Sequence, residues 1–261
     1  MNFDTIRVMT DDIGVATLTL ARPDRHNAMS GQMIAELAAA AELLANDDKV
    51  RAVVLTGEGD SFCAGADLAW MRAQASAARD ERIAEARKLA LALRALNELP
   101  KPLIGRINGQ AFGGGLGLMS VCDVAVAVDT ARFGFTEVRL GLIPATISPH
   151  VLARMGEGRA RRVFMSARIF DVNEARELGL ISRTVPPADL EAAIEAEVRP
   201  YRSASPQAVA AAKKLARRLG PEIEDGVIDE TVAMLADTWE TTDAAEGIAA
   251  FFERRMPRWQ V

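Results

Sequence analysis

With 261 residues, 49% of them hydrophobic and 26% charged, the chain can build an ordinary globular core, as one large domain or two small ones. A net charge of −5 gives no electrostatic reason to expect nucleic acid or an anionic membrane as a partner. The two histidines and two cysteines, Cys63 and Cys122, form no C-x-x-C pair, which argues against a zinc centre and predicts reduced core thiols in a cytoplasmic protein.

The acidic start (Asp4, Asp11, Asp12) and the lack of a long apolar run predict neither a signal peptide nor a membrane helix. Alternation at Ile6 and Val8, and again through Val15–Leu20, predicts two strands joined by the turn Asp11–Gly14. The polar loop Arg22–Asn27 leads to a helix from the N-cap candidate Ser30 to about Asn46. Its face carries Met33, Ile34, Leu37, Ala41 and Leu44. Arg51–Thr56 reads as a short apolar strand, and the small-residue loop Ser61–Leu68 enters another helix.

Asp80–Glu98 has helical spacing and is ended by Pro100 and Pro102. Pro102–Ile107 reads as a buried strand, Leu116–Cys122 as a short buried helix and Asp123–Val128 as a strand. Ala131–Phe135 is a brief strand or bend, and Thr136–Pro149 is a loop. Helices are predicted at His150–Met155, Gly158–Met165 and Val172–Leu178, with a last strand at Ile181–Val185. After Pro186-Pro187 only helices follow, at Asp189–Val198, Pro206–Leu219, Pro221–Trp239 and Asp243–Glu253. The layout is α/β, with a body at residues 1–199 and a helical C-terminal cap at residues 200–261 that points to oligomerisation.

The stretch Asn108–Leu118 is the centre of this pattern. Gly113, Gly114 and Gly115 sit at a strand-to-helix turn, where the missing Cβ lets a ligand approach the backbone. The first amides of a helix have no intrahelical partner, so they can polarise a developing negative charge. A dinucleotide fingerprint fails here, because its third glycine would fall on Leu118, and no phosphate-loop Gly-Lys-Ser/Thr follows. There is no G-x-S-x-G elbow. A tight turn with close helix packing is the other reading of the glycines. Val53–Leu68 repeats the strand, loop and helix order, so two such loops can meet at one end of a sheet.

An ordered set of motifs carries a resemblance. These are Arg22-Pro23 with Asn27-Ala28, Phe62–Leu68, Pro100-Lys101-Pro102, Ile107-Asn108-Gly109 and Gly113–Gly115. Cys122-Asp123, Phe133-Gly134, Glu137, Leu140–Pro144, Ala175–Ile181 and the Phe252–Arg255 end follow. In this order the chain resembles the crotonase (enoyl-CoA hydratase/isomerase) superfamily over nearly its full length. The resemblance implies a spiral of ββα units with a helical C-terminal cap, assembled as a homo-trimer or a dimer of trimers. It implies an acyl-CoA thioester substrate, with coenzyme A as part of that substrate, no separate cofactor and no metal.

Matched position by position, the resemblance makes the Ala66 and Gly114 amides an oxyanion hole. It places Arg25, Ala28, Ala64, Ala66, Asp67, Leu68 and Gly114 around the substrate or its coenzyme A. Family hydratases carry two glutamates. Here the first position is Gly117, and the second is Glu137, the expected acid/base. Burial near Phe135, Val138 and Leu140 would move its pKa toward neutrality. Ala145-Thr146-Ile147-Ser148-Pro149 replaces a glycine-rich run. With Gly117 it is similar to bacterial methylglutaconyl-CoA or carboxygeranoyl-CoA hydratases, whose substrates add a carboxylate that Arg72, Arg106 or Arg139 could meet. The expected activity is hydration of a 2-enoyl-CoA. The alternatives are a Δ3/Δ2 enoyl-CoA isomerase and an acyl-CoA-binding protein with little catalysis.

Overall fold

The computed structural model describes residues 2–260. The alternation near the start folds as a hairpin: β1 (Ile6–Thr10) and β2 (Val15–Leu20) run antiparallel, with Val8 opposite Leu18. Asp11 closes the turn, its Oδ1 accepting from the Ile13 and Val15 amides at 3.0 and 2.8 Å. Helix α1 (Gly31–Asn46) starts where expected, because the Ser30 hydroxyl accepts from the Met33 N–H and satisfies an otherwise orphaned donor. The predicted stripe from Met33 to Leu44 is buried.

From β3 onward one unit repeats. β3 (Ala52–Gly57) passes into β4 (Ser61–Cys63) and then helices α2 (Leu68–Ser76) and α3 (Arg79–Glu98). β5 (Leu103–Ile107) passes into β6 (Gln110–Phe112) and α4 (Gly114–Ser120). β7 (Val124–Val128) passes into β8 (Arg132–Gly134), a 3-10 turn at Glu137–Leu140, and α5 (Ser148–Met155). Then follow α6 (Glu157–Phe164), β9 (Phe170–Asp171), α7 (Val172–Glu177) and β10 (Arg183–Val185).

The first strand of each repeat joins a six-stranded sheet, β1-β2-β3-β5-β7-β10, and the second joins a four-stranded sheet, β4-β6-β8-β9. Val54, Ile104 and Val124 lie side by side in parallel register. β3 is buried along its whole length, as a parallel strand covered on both faces must be. This is the spiral of ββα units that the resemblance implies.

The structure adds strands that the sequence pattern did not show. β4, β6 and β9 have only three, three and two residues, too few for a period-two pattern, and each pairs with a strand distant in the chain. Helix α4 starts at Gly114 rather than Leu116, so Gly114 and Gly115 join Gly117 inside it. Helix α10 (Asp225–Trp239) starts later than Pro221, because Gly220-Pro221 terminates α9 (Pro206–Leu219) instead. The loop Thr136–Pro149 contains the 3-10 turn and the first residues of α5.

Helix α8 (Leu190–Val198) lies against β5 and β7. Helix α10 packs on α3 through Ile228, Val232, Ala86 and Ala90. Helix α11 (Thr242–Glu253) closes on the Glu137–Leu140 turn, where Leu142, Trp239, Ala244 and Ile248 form a small cluster. Helix α9 buries no residue and is held by polar contacts, Lys213 to Asp123 at 2.8 Å and Arg217 to Glu98 at 2.6 Å. Among the described residues no helix is long and apolar enough to cross a membrane.

Candidate active site

The two small-residue loops meet, and the reason is local backbone geometry. Gly113 precedes α4 with φ 48°, a left-handed conformation that glycine adopts without penalty. Gly115 lies so close to the neighbouring loop that a Cβ on it would sit 2.4 Å from the Cys63 carbonyl oxygen. The direction of a Cβ on Gly65 points within 3.6 Å of the Gly114 nitrogen. Gly114 is the first helical residue, a position whose N–H has no intrahelical acceptor.

Ala66 exposes its amide for a different reason. Met29 pairs with it in a single parallel bridge. The Met29 N–H donates to Gly65 O at 2.7 Å, and the Asp67 N–H donates to Met29 O at 3.0 Å. That pattern uses the Gly65 carbonyl and the Asp67 amide and turns the Ala66 N–H away from Met29. Ala66 and Gly114 line the same cavity, of about 480 Å³.

Glu137 lines this cavity from the 3-10 turn after β8. Its Oε1 lies 3.0 Å from where a Gly113 Cβ would be. The residue keeps part of its surface, but Oε2 is buried and lacks a hydrogen-bond partner among the described residues. Burial pushes the carboxyl up to about 7, against a smaller lowering by its own backbone N–H. The direction agrees with the sequence expectation. Glu137 is the only carboxylate among the described residues lining the cavity, and Arg139 is the only cation.

The remaining expected residues divide. Ala64 and Leu68 line the cavity, Leu68 being 54% exposed. Asp67 does not line it. Its carboxylate caps α2 by accepting from the Ala69 and Trp70 amides, and it pairs with Arg22 at 2.9 Å. Burial opposes its ionisation, but the Arg22 hydrogen bond and the two amides outweigh that and hold its pKa low. Ala28 is buried, its carbonyl accepting from Arg22 Nη1 at 2.5 Å. Arg25 is exposed beside Asp24 and is not part of the cavity wall.

Sequence reasoning did not single out Met29, Trp70, Phe112, Trp239 or Phe251, which also line the cavity. Trp70 sits in the first turn of α2, and its indole Nε1 is buried without a partner among the described residues. No local signal could have placed Trp239 or Phe251, which reach the site only because α10 and α11 fold back.

The cysteines take no part. Both are free and buried, and burial pushes each thiol up to about 12. Among the described residues, no group of three His, Cys, Asp or Glu side chains is placed to hold a metal ion. The cavity offers outward-facing amides that can polarise a carbonyl oxygen, and a carboxyl poised to gain or lose a proton near neutrality.

Comparison with known proteins agrees with this geometry. The family model for enoyl-CoA hydratase/isomerase matches residues 10–261. A Thermus thermophilus relative is 36% identical over 248 residues, 94% of this chain and 97% of its own length. The crystal structure of an enoyl-CoA hydratase from Shewanella pealeana is similar, with TM-score 0.81 and 38% identity, covering 98% of this chain and 96% of that one. That of an enoyl-CoA hydratase from Mycobacterium avium gives TM-score 0.85 and 33% identity, covering 99% and 100%. With paired glycine loops, a half-buried glutamate at their junction and likeness over nearly the whole length, the chain belongs to the enoyl-CoA hydratase/isomerase family.

Proposed function

We propose that this protein hydrates a 2-enoyl-CoA thioester, with Glu137 as its single acid/base. The observation that carries the reading is Glu137 Oε2, buried and without a hydrogen-bond partner among the described residues, at the same cavity as Ala66 and Gly114. The thioester oxygen binds between the two amides, which stabilise the enolate charge as it develops. The ionised Glu137 takes a proton from water as its oxygen bonds to C3, and the same carboxyl returns a proton to C2. Both steps need the carboxylate within about 3 Å of the proton, directly or through one water. Ala64 and Leu68 hold the coenzyme A moiety at the cavity mouth, near Ala28, Asp67 and Arg25. A trimer or dimer of trimers is the proposed assembly, with residues 200–261 as its cap, supported by Leu215 and Leu219 on α9, 60% and 80% exposed.

The acyl group we propose is branched and carries a second carboxylate. Of three candidate arginines, Arg106 pairs with Glu191 and Arg72 lies over the Phe252 ring. Arg139 lines the cavity and makes no ion pair among the described residues. A second reading, Δ3/Δ2 isomerisation, is favoured by the absence of a side chain at Gly117, since moving a proton between C2 and C4 needs one carboxylate.

The test is turnover of crotonyl-CoA, 3-methylcrotonyl-CoA, 3-methylglutaconyl-CoA and a 3-enoyl-CoA, followed by mass. A product heavier by one water from a 2-enoyl ester is expected. A mass-neutral shift of the 3-enoyl ester alone would replace hydration by isomerisation.

A further inference from the structure

Gly117 lies inside α4, four residues after Gly113, the residue that precedes the helix. Gly113 faces Glu137. Gly117 faces a different neighbour. A Cβ on it would lie 2.5 Å from Ile147 Cγ2, 3.0 Å from Ile147 Cβ and 3.3 Å from Leu93 Cδ1. The first contact is closer than any real Cβ tolerates, and the second involves an atom fixed to the backbone. A branched side chain has few rotamers to swing through, so Ile147 cannot simply turn aside. It is 3% exposed and sits at the start of α5, just before Ser148.

Ile147 also lines the cavity. The same side chain therefore fills the volume that a residue at 117 would need and forms part of the wall facing the ligand. We propose that Ile147 is a specificity-determining residue: it keeps the cavity wall beside Gly117 hydrocarbon, excludes a second carboxylate from position 117, and limits the size of the acyl group there. The inference rests on reading the cavity as an acyl-CoA site.

Binding tests the wall without turnover. Butyryl-CoA and 3-methylbutyryl-CoA have no C2–C3 double bond to hydrate, so calorimetric Kd values read the pocket alone. Ile147→Ala is expected to shift the Kd ratio toward the branched ester by on the order of tenfold relative to the parent. An unchanged ratio would overturn this inference alone. Failure of the parent to bind either ester would overturn the acyl-CoA reading and this inference with it.

The steric claim has its own arm. Gly117→Glu is expected to lower the Tm or weaken butyryl-CoA binding at least tenfold. Combining it with Ile147→Ala is expected to restore both and to add a second ionisation to the kcat/KM–pH profile. A Gly117→Glu protein with parental Tm and affinity, or a double variant no better than Gly117→Glu, would sink the proposal.

Discussion

Glu137 shows how one residue's surroundings set its chemistry. In water a glutamate is almost fully ionised at neutral pH, whereas this carboxyl is raised from 4.5 to about 7 because burial disfavours its charge. Between those values the fold holds a proton that the unfolded chain has lost. Stability therefore falls as pH rises through that window and stays lower above it. Glu137→Gln removes the penalty, so the variant should match the parent near pH 4 and melt higher at pH 8. Equal melting temperatures at pH 8 would contradict the buried, raised carboxyl. The same variant should lower kcat by at least about a hundredfold while acyl-CoA binding persists, and the parental kcat/KM should rise with pH through about 7. Glu137 stood out in the sequence through the family resemblance, and its apolar neighbours Phe135, Val138 and Leu140 suggested the direction of its pKa shift; the extent of burial was not legible, because it comes from chain segments far away.

Among the elements, α2 shows how a cavity-lining loop is anchored. Asp67 accepts from two amides at the start of the helix and pairs with Arg22, which also donates to Ala28 O. One carboxylate thus ties the Ala64–Leu68 loop to the loop before α1. Asp67→Ala should cost about 2 kcal/mol and lower Tm by roughly 4–8 °C, read by calorimetry. Asp67→Asn keeps a capping oxygen and should lose less; equal losses in both variants would assign the effect to charge alone. Helix starts such as Ser30 were legible because a capping side chain acts within three residues. The short strands β4 and β6 were not, since their hydrogen bonds run to partners outside their own stretch of chain.

For the whole molecule, the cap both completes the cavity and leaves apolar surface. Trp239 and Phe251 bring α10 and α11 to the site, while α9 exposes Leu215 and Leu219. Sedimentation velocity is expected to give a mass three or six times the 28.1 kDa chain. A single species at the monomer mass would rule out the proposed assembly.

The family resemblance singled out the lone glutamate, and the sequence alone determined the longer strands and helices and the glycine-rich loops. These depend on period, capping and steric limits that act within a few residues. Tertiary structure decided which loops meet, that Asp67 serves as a cap, that Ile147 fills the space beside Gly117, and how deeply Glu137 is buried. Each of those is a contact between residues distant in the chain, and only packing the ββα turns against one another brings them within reach.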